Sequence, residues 1–238
     1  MTNTVNINGA TMITLQNLSF GYTPKEPLFS NINLSLKNGE ICGLLGKNGS
    51  GKTSLLKLIA GLIFPYHGKA HAMGHNPSMR DPVWLENIYF LPESFSLPDI
   101  TIHQYISYYA EFYKKFDHAL FQSSLAECHV APVARLSQLS FGQQKKCLIA
   151  FGLATQANLL ILDEPTNGLD IPSKIQFKKC LAAHIAEDRL IMISTHQVHD
   201  IEHMVDSIVI LDEGKIVLHQ QMADTSKNIE TLFSETVS

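Results

Sequence analysis

A chain of 238 residues is long enough for one substantial α/β unit with room for an insert, and short for two independent units. Its 22 Asp and Glu outnumber 18 Lys and Arg for a net charge of −4, so no overall basic field draws it to nucleic acid. A hydrophobic share of 45% with 17% charged residues is that of a folding globular chain, yet its longest mid-chain apolar run, 159–162, is far below what a membrane helix needs, so any membrane role must come from a partner.

Residues 1–11 carry neither a basic stretch nor a long apolar run, which argues against a signal peptide and reads as a flexible extension. Apolar and polar residues alternate over 13–20 and 28–36, predicting two half-exposed antiparallel strands, while 41–45 is a continuous apolar run and predicts a buried one. The spacing then turns helical from Lys52, with Leu55, Leu58, Ile59 and Leu62 on one face. Further strands are predicted at 87–91, 159–162, 190–194 and 207–211, separated by helical stretches, which gives a mainly parallel α/β sheet, and the turn 212–215 leads to a short strand at 216–219. Between about 94 and 138 the pattern is helical and aromatic, the sign of an inserted helical subdomain; 220–238 reads as a short tail with no room for a regulatory domain. The scattered Cys42, Cys128, Cys147 and Cys180 form no CxxC pair, so neither a zinc site nor a disulfide framework is suggested, and a reducing cytoplasm fits.

Two segments carry chemistry. Gly46-Lys47-Asn48-Gly49-Ser50-Gly51-Lys52-Thr53, followed by Ser54, matches GxxxxGK with Ser or Thr at every fixed position and sits between a predicted strand and helix. Glycines there let backbone N–H groups converge on phosphate oxygens; Lys52 reaches the β- and γ-phosphates and Thr53 ligates Mg²⁺. The apolar run 159–162 ends in Asp163 and Glu164, which emerge at the carboxyl edge of the sheet, where open α/β folds bind ligands. Asp163 suits Mg²⁺ and Glu164 suits polarising an attacking water.

With both segments in place the chain resembles the ATP-binding cassette (ABC) ATPases, a P-loop NTPase fold with a RecA-like core, an antiparallel β subdomain and an inserted α-helical signature subdomain. Leu139-Ser140-Phe141-Gly142-Gln143 resembles the LSGGQ signature, with Phe141 in place of a glycine. The resemblance implies that Ser140, Gly142 and Gln143 act in trans on the nucleotide of a second subunit, in a head-to-tail, two-fold ATP sandwich, expected as a homodimer. Asn167-Gly168-Leu169-Asp170 resembles the D-loop, Thr195-His196 the switch histidine that contacts the γ-phosphate, and Phe20-Gly21-Tyr22 the loop whose Tyr22 stacks on adenine. Leu91-Pro92-Glu93 places Glu93 where the family usually has glutamine, keeping an oxygen ligand for the metal and adding a charge. That Leu-Pro-Glu form is similar to exporter ATPases paired with separate permeases. The resemblance thus implies Mg²⁺-dependent ATP hydrolysis on the inner face of the membrane, coupled to a separately encoded integral membrane permease. The alternatives are an iron–sulfur assembly ATPase of similar length and a degenerate cassette that hardly hydrolyses.

The aromatics Tyr105, Tyr109, Phe112 and Tyr113 have helical spacing with Ile102 and Ile106, and fit either the insert's own core or a groove for a permease helix. Lys145 and Lys146 read as a solvated helix face.

Overall fold

The computed structural model describes residues 11–23, 25–127 and 130–237. The expected extension 1–11 lies outside them except for Thr11, as does Cys128. Two sheets make up the frame. The smaller is antiparallel in the order β2-β1-β4, from β1 (Thr11–Phe20), β2 (Phe29–Lys37) and β4 (His67–Ala72). Alternation along β2 buries Phe29, Ile32, Leu34 and Leu36 and leaves its other face wet, as period 2 requires. Strand β4, HGKAHA, was not foreseen, because only Ala70 and Ala72 point inward and no β-branched residue marks it.

The larger sheet runs β5-β6-β7-β3-β8-β9, from β3 (Glu40–Leu45), β5 (Ile88–Leu91), β6 (Leu159–Asp163), β7 (Leu190–Thr195), β8 (Ser207–Asp212) and β9 (Lys215–Gln221). All neighbours are parallel except β8 and β9. Every residue of β3, β6 and β7 is buried, which is why these strands read as unbroken apolar runs. Along β3 the two faces enter different cores: Ile41 and Leu45 face the helical layer, Cys42 and Leu44 the antiparallel sheet and helix α1 (Lys52–Ile59). In register, Leu45 lies opposite Thr195 and Asp163 opposite Ser194, so three strand ends finish level.

The helical layer contains α3 (Ile102–Tyr109), α4 (His118–Glu127) and α5 (Phe141–Ala154), while α2 (Pro82–Leu85) leads into β5 and α6 (Ile171–Ala182) follows β6. Phe151 of α5 is its hub, with the rings of Tyr89, Tyr105, Tyr113, Phe116 and Phe121 at centroid distances of 5.0 to 6.2 Å. Edge and tilted contacts of this kind suit the ring quadrupoles. The segment after 219, read as a tail, is folded back over 220–237. Helix α7 (Ile229–Thr236) is capped by Asn228 and buries Ile229 and Leu232, with Val237, in the same core as Phe151.

Replacing Phe151 with Ala empties the centre of that ring cluster and is expected to cost about 3–5 kcal/mol, measured as a lower denaturant midpoint in equilibrium unfolding.

Candidate active site

The loop between β3 and α1 is shaped by where side chains cannot go. A Cβ on Gly46 would collide with the carbonyl oxygen of Leu211 and with Ser50 Oγ, and Gly51 sits at φ +107°, a conformation that glycine adopts without strain. Ser50 Oγ is buried with no hydrogen-bond partner among the described residues, so this cradle presents an unsatisfied polar atom in its wall. Lys52 is buried and folds back across the loop, donating from Nζ to the carbonyl oxygens of Gly46 at 2.8 Å and Lys47 at 3.2 Å. Its ammonium lies 3.6 Å from Glu164 Oε1. Burial pushes the Lys52 pKa down, and the charges of Glu164 and Asp163 oppose that shift. A glycine loop with a buried cation folded across it fits a polyphosphate.

Across from the loop, the ends of β6 and β7 are tied to it by a chain of hydrogen bonds. Thr53 Oγ1 donates to Asp163 Oδ2 at 2.7 Å, and Ser194 Oγ donates to the other oxygen, Asp163 Oδ1. Ser194 also receives the Glu164 amide, at 3.0 Å on its hydroxyl and 3.2 Å on its carbonyl. Glu164 itself has φ +47°, a left-handed conformation that is uncommon for a non-glycine residue and persists where its surroundings hold it. Its carboxylate, almost fully buried, meets His196 Nδ1 at 2.9 Å. Thr166 Oγ1 donates to Asp200 Oδ2 at 2.6 Å, and Lys174 pairs with the same carboxylate at 2.8 Å, which fastens the segment after Glu164 to the turn after His196.

The remaining candidates are divided. Tyr22 is two-thirds exposed, its hydroxyl 2.9 Å from Ser54 Oγ and its ring edge-on to Phe20 at 5.1 Å, so it stands beside the loop with an open face. Glu93 accepts from Asn167 Nδ2 at 3.0 Å, so it is not a free solvated acid. Ser140 and Gln143 form a capping box at the start of α5, and Asp170 caps α6 by accepting from Ser173 N at 2.9 Å. Within one chain, Ser140, Gly142, Gln143 and Asp170 thus serve as helix starts and make no hydrogen bond to the glycine loop among the described residues. Lys145 corrects an expectation. It is fully buried, not solvated, because two carbonyl oxygens receive its ammonium. Ser194 and Lys145 are the residues that sequence patterning passed over: one looks like the polar end of a strand, the other like half of a lysine pair.

A family model described as ABC transporter matches residues 29–167. The chain belongs to the ABC transporter family. It is similar to the lantibiotic transport ATP-binding protein SrtF of Streptococcus pyogenes, 29% identical over 230 residues that cover 95% of this chain and 97% of the relative. It is also similar to the α-hemolysin translocation ATP-binding protein HlyB of Escherichia coli, 32% identical over 96% of this chain, which spans only 33% of that longer protein. A solved structure of an ATP binding subunit of an ABC transporter has a TM-score of 0.85 at 24% identity, covering 95% of this chain and 99% of the other, and shares the fold. As a member of the ABC transporter family, this chain is an ATP-binding transporter subunit that hydrolyses ATP.

Ser194→Ala removes the one hydroxyl that bonds both acidic residues. Turnover of ATP is expected to fall about tenfold or more, in line with the loss of a hydrogen bond to a charged group, while ATP affinity changes little; steady-state ATPase assays and nucleotide titration check both.

Proposed function

We propose that this subunit hydrolyses ATP with Mg²⁺ in a head-to-tail dimer, expected as a homodimer, and powers export through a separately encoded permease from the inner face of the membrane. The observation that carries the catalytic reading is the Glu164 carboxylate, held between the Lys52 ammonium and the His196 ring at the common end of β3, β6 and β7. Gly46 to Ser54 take the phosphates, Lys52 moves from loop carbonyls to the β- and γ-phosphate oxygens, and Tyr22 stacks on adenine through its open face. Glu164 polarises the attacking water, whose oxygen bonds to the γ-phosphorus as the bond to ADP breaks. His196 orients Glu164 and contacts the γ-phosphate.

Thr53, Asp163 and Glu93 are the oxygen donors we assign to Mg²⁺. The first two already lie within hydrogen-bond distance of each other, and a hard cation of this kind takes few protein ligands beside phosphate. When bound, the ion neutralises charge on the phosphate oxygens. Ser140, Gly142, Gln143 and Asp170 act on the partner's nucleotide, which agrees with their making no hydrogen bond to the loop of their own chain among the described residues.

The permease reading rests on a groove beside α3. Among its lining residues are Leu62, Phe90, Tyr109 and Phe112; Leu62, Tyr109 and Phe112 are exposed apolar side chains, whereas Ile102 is buried and Tyr105 and Tyr113 pack into the core. The aromatic run is therefore split between core and surface. A short helix of a membrane partner fits such a groove. Among the described residues no helix is long and apolar enough to cross a membrane. Export is favoured by the names of the relatives, lantibiotic transport and α-hemolysin translocation, which also favour transport over iron–sulfur assembly.

Glu164→Gln keeps the shape of the side chain and loses the carboxylate, so turnover should drop about 100-fold or more with ATP still bound. Size-exclusion chromatography with ATP and Mg²⁺ is expected to show a dimer of this variant. Only monomer, with the permease added as well, contradicts the sandwich. Phe112→Asp should abolish co-purification of the membrane partner and leave basal ATPase intact.

A further inference from the structure

Lys145 lies one turn into α5 and is wholly buried. Its ammonium stands 5.1 Å from the centroid of the Phe141 ring, and Phe141 in turn stacks on Phe95 at 5.2 Å with the planes 8° apart. No carboxylate comes within ion-pair distance of Lys145 among the described residues. Its hydrogen bonds go to two backbone carbonyl oxygens, Glu164 at 3.0 Å and Asn167 at 2.8 Å. Asn167 uses its side chain to bond Glu93 at 3.0 Å, so one residue receives the lysine and holds the acid of the preceding loop.

A buried ammonium is costly unless its protons are accepted, and a neutral side chain would fill the same space without that penalty. The charge therefore has work at this position. Glu164 supplies it: its backbone is left-handed, and such strain persists where the surrounding structure fixes it. Ser194 holds the amide end of that turn and Lys145 the carbonyl end. Burial pushes the lysine pKa down, and the charges of Glu93, Glu164 and Asp163 oppose that shift.

We propose that Lys145 is a positioning residue for ATP hydrolysis: by gripping the carbonyl oxygens of Glu164 and Asn167 it fixes the left-handed turn that aims the Glu164 carboxylate at His196. Because Ser140 caps α5, any shift of that helix start reaches Glu164 through the same grip. The Phe141 ring covers the ammonium. The inference rests on Glu164 as the group that polarises water.

The test is steady-state ATPase and nucleotide titration on the full chain, comparing the parent with Lys145→Met, Lys145→Gln and Glu164→Gln, each checked for folding by near-ultraviolet circular dichroism. Lys145→Met, close in volume but without a donor, is expected to lose about 10- to 100-fold in kcat with KM for ATP within about threefold of the parent. Lys145→Gln, which keeps an N–H donor on a shorter side chain, should recover part of that loss. A folded Lys145→Met with kcat within about twofold of the parent overturns the inference. So does a parallel decline of kcat, ATP affinity and folded fraction, or failure of both lysine variants to fold, since a positioning residue is removable without loss of the fold. Parental turnover by Glu164→Gln would instead sink the assignment of Glu164 itself, whatever the lysine variants do.

Discussion

The relay Thr53–Asp163–Ser194–Glu164 is the constraint on which the rest of the site depends. It joins the first turn of α1 to the ends of β6 and β7, so the glycine loop and the acidic pair cannot drift apart. Parallel register makes this possible, because Leu45 opposite Thr195 and Asp163 opposite Ser194 bring three loops to one edge. Remove the relay and Asp163, nearly fully buried, would be a carboxylate with no donors, a state that folding does not tolerate cheaply.

The same edge explains why strained and buried polar groups gather here. Lys52, Asp163, Glu164 and Lys145 are all buried, yet each is held by named partners, as buried charge must be. The helical layer adds a second hold. Phe151 packs α5 against Tyr89 of β5 while Lys145 of the same helix reaches the turn after β6, so α5 is clamped to the sheet by both an apolar and a polar grip. A helix tied down at these two points is well placed to relate what happens at Ser140 to what happens at Glu164.

Much of this was legible in the sequence, for physical reasons. Buried parallel strands leave unbroken apolar runs, so β3, β6 and β7 lie within a residue of the bounds those runs predict, and the glycine pattern of 46–53 falls, as expected, between β3 and α1. What escaped detection lacked a local signal. Strand β4 is polar, with two alanines inward; α7 is short; and Lys145 is buried through partners far along the chain, at Glu164 and Asn167, which no local window reveals. Phe141 and Glu93 read as departures from a family pattern, and the structure shows both engaged, the first against Phe95 and the second with Asn167.

The central claim is that the edge shared by β3, β6 and β7 holds the triphosphate. Hydrogen–deuterium exchange, run with and without an excess of a non-hydrolysable ATP analogue and Mg²⁺, tests it without any mutation. Slowed exchange at 46–54, together with 163–164 and 194–196, is the predicted result. Unchanged exchange across 46–54 in the presence of bound nucleotide, with protection appearing elsewhere in the chain, would contradict it.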